Sequence, residues 1–420
     1  MKYQHTTRIS WLRWVAPCLL LSAMVMSLVL AAGGPRLFFY QLDPNNAGGV
    51  CFDGHQPKLM CDYANVYYPQ GLALQHSAKA QRGFYYSPFF AVCMWLLAQL
   101  PAVAAGVLWF ALILIAVAAL VSLPSLLGVL RSTRAALAYA ALLAWSMPLL
   151  HDLLYGQVSS ILCVLTALSL LAYGRTRHLL SAVLLGLASA VKFYPGLFAL
   201  YYVARRDWRT TLQYSLILLL SVGVLPWLAF GSNGYLLLVR SIVGNLGQLS
   251  RWLAKTHYSN AATTVLTLAG QRWFGLQAGA HAIAVTLSAC LAASQLLLMI
   301  RAARRSDALS ALLFGFAALP FVVRSCWMHY FVFLPLLQTY VLQASRTEGT
   351  ARLARWCAMI GPIGSAILLS YPYFILFDDP DAYYRSGLPL WATLLVLPGL
   401  SLTQFAGRYG LRRPARVLAE

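Results

Sequence analysis

Long apolar runs recur along the chain from near residue 14 to near residue 405, broken by short polar segments. There are too many of them for one buried core. A helix that crosses a bilayer needs about 20 apolar residues. Backbone in lipid must satisfy its own hydrogen bonds, which leaves helices or closed barrels. Period-2 alternation is absent and Leu and Ala dominate, so the runs predict helices. Spans are expected near 14–32, 103–130, 135–150, 157–173, 178–191, 194–204, 210–231, 278–300, 307–323, 330–344, 356–376 and 388–405. The fold class is therefore all-α: a polytopic membrane protein of about 12 helices. No repeat or low-complexity linker divides it, so residues 1–420 form one membrane domain. The pair 178–191 and 194–204 flanks Lys192-Phe193-Tyr194-Pro195, and neither half crosses comfortably alone. A kinked or re-entrant pair is expected there, with Pro195 interrupting the ladder. Residues 88–101 are too short to span and read as an outer interfacial segment.

Of 420 residues, 60% are hydrophobic and only 10% charged, against roughly 25% charged in soluble chains. The net charge is +20. Basic chains often bind nucleic acid, but these Lys and Arg residues sit in short clusters between apolar runs, the positive-inside pattern. With both termini in the cytoplasm, the inner segments hold 20 of the 31 basic residues, among them Arg175, Arg177, Arg205, Arg206, Arg304 and Arg305. The outer segments hold 7 of the 11 acids: Asp43, Asp53, Asp62, Asp152, Asp378, Asp379 and Asp381. One orientation sorts both signs, and it places the chain in the cell inner membrane. Lys2, Arg8 and Arg13 before the run Val15–Ala32 mimic a secretory signal. The apolar sequence that follows favours an uncleaved first span.

Chemistry-bearing residues collect at the outer turns. The first extracytoplasmic loop, 33–87, carries Asp62 just before Tyr63-Ala64-Asn65-Val66-Tyr67-Tyr68. A carboxylate near lipid must be solvated or paired. Asp62 reads as a general base for an acceptor hydroxyl, or as a solvated acid at a helix N-terminus. Cys51 and Cys61 share this loop, and an oxidising compartment permits a disulfide between them. His151-Asp152-Leu153-Leu154-Tyr155-Gly156-Gln157 lies between two spans. Lys192 reads as a cation snorkelling to the interface or as a point charge for a phosphate. Arg251, Lys255, His257 and Asn260 lie in a polar outer loop, 232–262, whose bland reading is a solvated face. Arg324, Trp327 and His329 cluster at one span end, which suggests a substrate pocket. The acids at Asp378-Asp379-Pro380-Asp381 have an Asp-x-Asp spacing that suits a divalent metal, but three acids in a turn are more often solvated. No metal site and no cofactor are expected: Walker, dinucleotide and His-Glu-x-x-His elements are all missing.

The order of these motifs resembles glycosyltransferase family 87, within the GT-C superfamily of polytopic enzymes that use polyprenyl-phosphate sugars. The carriers are Asp62 with Val66-Tyr67-Tyr68, then Tyr86-Ser87-Pro88-Phe89-Phe90, then Tyr155-Gly156-Gln157-Val158. They continue with Gly186 through Lys192-Phe193-Tyr194-Pro195, Arg205-Arg206-Asp207-Trp208-Arg209 and Ser325-Cys326-Trp327-Met328-His329-Tyr330. The resemblance implies an inverting hexosyl transfer, with mannose leading, from a polyprenyl-monophosphate donor to a glycolipid or glycan acceptor outside the cytoplasm. It implies that Asp62 is the base and that His329 lies in the active site. Lys192 and Gln157 map to the family's outward polar motifs. Tyr67, Tyr86, Tyr194, Asn260, Arg324 and Trp327 complete the expected substrate contacts. A charged monophosphate does not demand the metal that nucleotide sugars often use. The family often has Asn-Gln-Ser where this chain reads Ser259-Asn260-Ala261-Ala262-Thr263, which puts acceptor recognition in question. Membrane lipids are the other expected partner, and nucleic acid is not one.

The main alternative is a secondary transporter or a lipid-linked-sugar flippase. Such proteins usually carry ionisable groups at mid-membrane around broken helices. Here the polar groups gather at outward ends, which favours an enzyme. A ligase using pyrophosphate carriers would show a larger outer loop rich in Arg and His than 232–262.

Overall fold

A computed structural model describes residues 52–53, 56–57, 60–130, 132–256, 259–345, 352–377 and 380–406. It is helical apart from a two-residue antiparallel ladder pairing Phe52 with Pro57 and Asp53 with Gln56. A π-turn over Tyr63–Tyr67 leads into α1 (Tyr68–His76), followed by α2 (Pro88–Leu97), α3 (Ala102–Leu126), α4 (Thr133–Ala144) and α5 (Met147–Tyr155). Next come α6 (Ser159–Gly174), α7 (His178–Val191), a 3₁₀ turn over Tyr194–Ala199 and a short helix, Leu200–Ala204. Then α8 (Trp208–Leu219) and α9 (Leu225–Thr256) are joined by a π-turn over Leu220–Val224, and α10 (Ala262–Phe274) and α11 (Ala280–Arg304) follow. The last part holds α12 (Ala308–Val322), α13 (Leu334–Ser345), α14 (Arg352–Leu368) and α15 (Leu388–Ala406).

Local chemistry explains several boundaries. Ser87 caps α2 by accepting from the Phe90 N–H at 3.2 Å, with Pro88 at the first helical position. Asp207 caps α8 by accepting from Thr210 N at 3.0 Å, and Asp307 caps α12 by accepting from Ser310 N at 3.0 Å. Helix pairs α6–α7, α7–α8, α11–α12 and α14–α15 form the main packing layers. Ala311 through Ala318 on α12 are buried, so its apolar faces meet protein all round.

The helices give the molecule two chemically different ends. α6 runs from Gln157 to Arg175, α7 from His178 back to Lys192, and α12 from Asp307 to the His329 turn. Sixteen residues of α6 span about 24 Å. At the basic ends the turns meet: Arg205 Nη1 donates to Ser306 Oγ at 2.5 Å, and His178 Nδ1 stands 3.2 Å from Asp207. Gln157, Lys192 and His329 therefore lie at the opposite end from the arginine-rich turns.

Three described helices are long and apolar enough to cross a bilayer: Ala102–Leu126, Trp208–Leu253 and Ala280–Arg304. The pair Met147–Tyr155 and Ser159–Gly174 makes a fourth candidate, bent by 115°. Shorter apolar helices, α4, α7 and α12 among them, coincide with other expected spans, and α2 coincides with the segment read as interfacial. The expected span at 14–32 and both termini lie outside the described residues. Residues 232–262, read as a loop, are mostly helix instead. α9 breaks at Gly231 (φ 69°, ψ 174°) and then continues to Thr256. Its inner face is Leu238, Ile242, Asn245, Leu249 and Leu253, all buried. Interspersed polar residues hide that helical period in the sequence. Within residues 88–101, read as interfacial, α2 buries Phe90, Ala91 and Met94 in the core and leaves Leu96 exposed.

At Gly361 the chain allows α14 to touch α15 directly: an added Cβ would collide with the Leu395 carbonyl oxygen. Gly361→Leu is expected to cost about 1–3 kcal/mol through overpacking. The check is a lowered melting temperature of the detergent-purified protein, with Gly364→Ala, whose nearest neighbour is Leu395 Cδ1 at 3.5 Å, close to wild type.

Candidate active site

A cavity of about 310 Å³ opens at the non-basic end. Asp62, Tyr67, Tyr86, Gln157, Lys192, Trp327 and His329 line it, with His151, Tyr155, Leu246 and Leu249. Seven of the ten expected site residues thus share one wall. Segments far apart in sequence supply them, and each is positioned by a local device.

The turn between α5 and α6 presents Gln157. Gly156 sits in the left-handed region at φ 66° and ends α5. A Cβ there would come within 2.9 Å of Met60 Sδ and 3.1 Å of Tyr63 Cβ, so the turn presses on the Asp62 segment. Trp109 on α3 donates its indole N–H to the Gly156 carbonyl at 2.9 Å. Asp152 is fully buried and accepts from Ser159 N, Ser160 N and Ser160 Oγ at 3.1, 3.1 and 2.5 Å. Its carbonyl also accepts from Gln157 N at 2.8 Å. Asp152 therefore welds the bend, and a buried carboxylate with this many donors is satisfied.

Gln157 is the hub of the polar network. Its Oε1 accepts from Tyr67 OH at 3.0 Å, Tyr86 OH at 2.8 Å and Lys192 Nζ at 3.4 Å. Those donors fix the amide orientation, so Nε2 is the atom that donates to Asp62 Oδ2. The two tyrosine hydroxyls also touch each other, and with one proton apiece they share the contact to Gln157 and to one another. Tyr67 is boxed edge-on by Tyr86, Phe90 and Trp109 at 5.1, 5.1 and 5.8 Å, which holds its hydroxyl in place. The ammonium of Lys192 lies between two ring faces, 4.6 Å from Tyr86 and 4.7 Å from Tyr330, a cation–π clamp.

Burial pushes the Asp62 carboxyl up to about 6, against the opposing pull of Lys192 and the Gln157 hydrogen bond. Burial draws Lys192 down to about 8, against the pull of Asp152 and Asp62. Burial, then Lys192 and His151, hold His329 well below the usual imidazole range. Near pH 7 the wall therefore presents one carboxylate, one ammonium and two neutral imidazoles, since burial also lowers His151 to about 3.

Three expected residues stand outside the cavity. Tyr194 packs behind the wall, 5.0 Å from the Tyr330 ring. Asn260 is buried and its N–H donates to the Cys326 carbonyl at 2.7 Å, so it braces the His329 segment. Arg324 is exposed, and its contribution there is a carbonyl that accepts from Ser259 Oγ at 2.9 Å. Proximity in sequence to Trp327 suggested otherwise, but the chain bends at Arg324 and Ser325 between α12 and the Met328–Phe331 turn, and Arg324 is left outside the cavity lining. Sequence reading left out His151, Tyr155, Leu246 and Leu249 as wall residues. The His151 tract was visible, but its ring is brought to the wall by one helical turn of α5. Leu246 and Leu249 were hidden by the loop assignment of 232–262. Cys61 is disulfide-bonded; the expected pairing with Cys51 lies outside the described residues, as do Asp378, Asp379 and the side chain of Asp381. Among the described residues no group of three His, Cys, Asp or Glu side chains is arranged to hold a metal.

Residues 84–326 match the model of glycosyltransferase family 87. The chain belongs to this family. Similar curated proteins carry a matching description. A polyprenol-phosphate-mannose-dependent alpha-(1-2)-phosphatidylinositol pentamannoside mannosyltransferase of Mycobacterium tuberculosis (strain CDC 1551 / Oshkosh) is 28% identical over 411 residues, 94% of this chain and 90% of that protein. The protein of the same description from Mycolicibacterium smegmatis (strain ATCC 700084 / mc(2)155) is 32% identical over 151 residues, 36% of each chain. In family 87 terms, the matched stretch contains Gln157 and Lys192, while Asp62 and His329 flank it on either side.

If Asp62 must be ionised and Lys192 charged, kcat/KM will follow a bell. It falls below pH 6 as Asp62 gains its proton, and falls above pH 8 as Lys192 loses its own. Such a profile reports groups of the free enzyme. A profile flat from pH 5 to 7 would remove the carboxylate from the rate equation.

Proposed function

We propose that this family 87 glycosyltransferase moves a mannosyl group from a polyprenyl-monophosphate donor to a hydroxyl of a glycolipid or glycan. The descriptions of both relatives support the sugar and the carrier. The observation that carries the chemistry is Asp62 on the cavity wall, aimed by Gln157 and flanked by the Lys192 ammonium.

The acceptor hydroxyl oxygen forms its bond to the anomeric carbon as the bond from that carbon to the phosphate oxygen breaks. The hydroxyl proton goes to Asp62, and the polyprenyl monophosphate leaves with the bonding pair. Attack opposite the leaving group inverts the anomeric centre. Lys192 stabilises the charge that develops on the phosphate. Its aromatic clamp keeps the ammonium in place with little reorganisation during the reaction. His329, on the same cavity lining, orients the donor. Trp327, stacked on Trp252 at 5.9 Å, and the leucines of α9 supply apolar surface beside the polar wall.

The cavity lies opposite the arginine-rich turns, and the positive-inside rule assigns those turns to the cytoplasm. The reading therefore sets the site at the outer boundary of the cell inner membrane, in one membrane domain with both termini inside. A lipid-borne donor reaches such a site from within the bilayer. The flippase reading fits less well, because the charged groups meet at a helix-end cavity rather than at a mid-membrane break.

The test uses membranes containing the protein, polyprenyl-phosphate mannose and a mannosylated phosphatidylinositol acceptor, with released polyprenyl phosphate as the readout. Asp62→Asn is expected to lower kcat by about 10²-fold or more, the scale of general base catalysis. Lys192→Met is expected to lower kcat/KM for the donor by a similar factor. Near-normal release by Asp62→Asn would end the base assignment.

A further inference from the structure

The cavity wall carries a second histidine that the reaction above leaves unused. His151 is buried on α5, and its Nδ1 lies 3.3 Å from His329 Nδ1. Two neutral imidazoles can meet through like nitrogens only when one carries the proton and the other offers a lone pair. The two arrangements differ at the far nitrogen of His329. When His151 donates, His329 Nε2 bears the hydrogen. When His329 donates, Nε2 is a bare lone pair.

The geometry of the pair and the chemistry of the donor together choose between them. His329 Nε2 is buried without a hydrogen-bond partner, on a residue that lines the cavity. Lys192 lines the same cavity, and the phosphate that its ammonium would meet offers only acceptor oxygens; an Nε2–H suits that partner and a bare lone pair does not, which puts the shared proton on His151. The His151 ring is locked by a parallel stack on Tyr155, with centroids 4.0 Å apart and planes 4° apart, so it keeps this edge toward His329.

We propose that His151 is a positioning residue: it fixes His329 as the Nε2–H tautomer, and that N–H donates to a non-bridging phosphate oxygen of the sugar donor. A sugar hydroxyl could pair with either tautomer, since it both donates and accepts. A phosphate oxygen only accepts, so a locked tautomer matters there. The neutral N–H complements Lys192 on the same phosphate without placing a second cation beside it. This proposal rests on the transferase reading given above.

The experiment has two arms. Histidine-labelled ¹⁵N protein in liposomes, with His329→Gln for assignment, reports the tautomer by NMR. His329 is expected to show a bare Nδ1 and a protonated Nε2, and to become a mixture in His151→Phe. Turnover of polyprenyl-phosphate mannose forms the second arm. His151→Asn, whose amide nitrogen replaces Nδ1–H, is expected to stay within about threefold of wild type. His151→Phe keeps a ring against Tyr155 but is expected to lose about tenfold or more in kcat. Both are compared per mole of folded protein. A proton on His329 Nδ1, or equal turnover in the two variants, overturns the proposal. The expected tautomer in a wild-type protein that releases no polyprenyl phosphate leaves the histidine pair standing and removes the transferase reading.

Discussion

A buried carboxylate that is to act as the proposed base must be kept ionised, and most of the end opposite the arginine-rich turns is arranged around that constraint. Burial alone would favour the protonated form of Asp62. One amide hydrogen bond and one nearby ammonium oppose it. Neither partner holds itself in place. The Gln157 amide is oriented by two tyrosines and Lys192, and Lys192 by two aromatic faces. Behind Gln157, Asp152 and Trp109 secure a bend that only glycine at 156 allows. The scaffold spends many side chains on a carboxyl held close to neutral pH, where a base is most useful.

The division between the two ends follows from the same physics. Helices that begin at arginine-rich turns finish at the cavity, so chain reversals sort the arginine clusters to one side and the cavity residues to the other. α9 adds a cover: beyond the break at Gly231, Asn245 Nδ2 donates to the carbonyls of Gln81 and Phe84 at 2.6 and 3.2 Å, and Ser241 Oγ accepts from Ala80 N at 2.8 Å. That clamp ties the helix to the segment before α2, and brings Leu246 and Leu249 over the polar wall. A site of one polar face and one apolar face suits a substrate with a charged head and a hydrocarbon tail.

Much of this was legible in the residues. Gln157, Lys192 and His329 stand at the ends of apolar runs and Asp62 in the first outer loop, and the resemblance of their ordered motifs to family 87 marked them as partners before any geometry was known. The helical class follows from the apolar runs themselves. Harder to read was anything set by side-chain direction. Arg324 and Tyr194 are sequence neighbours of wall residues but do not line the cavity, because a chain bend at Arg324 and a 3₁₀ turn at Tyr194 set successive side chains apart. His151 is six residues before Gln157, yet reaches the wall through the helical stack on Tyr155. The outer half of α9 was hidden because its inward face includes Asn245, a polar residue that satisfies loop carbonyls, so hydropathy alone undervalues the helix.

The balance of burial against Gln157 and Lys192 at Asp62 is open to direct observation. Infrared difference spectroscopy of the protein in liposomes, wild type against Asp62→Asn, isolates the carboxyl band of this residue during a pH titration. A midpoint near 6 that moves upward in Lys192→Met is the expected result. A midpoint at the ordinary carboxyl value of 3.8, unmoved by loss of Lys192, would contradict the coupling on which the proposed chemistry depends.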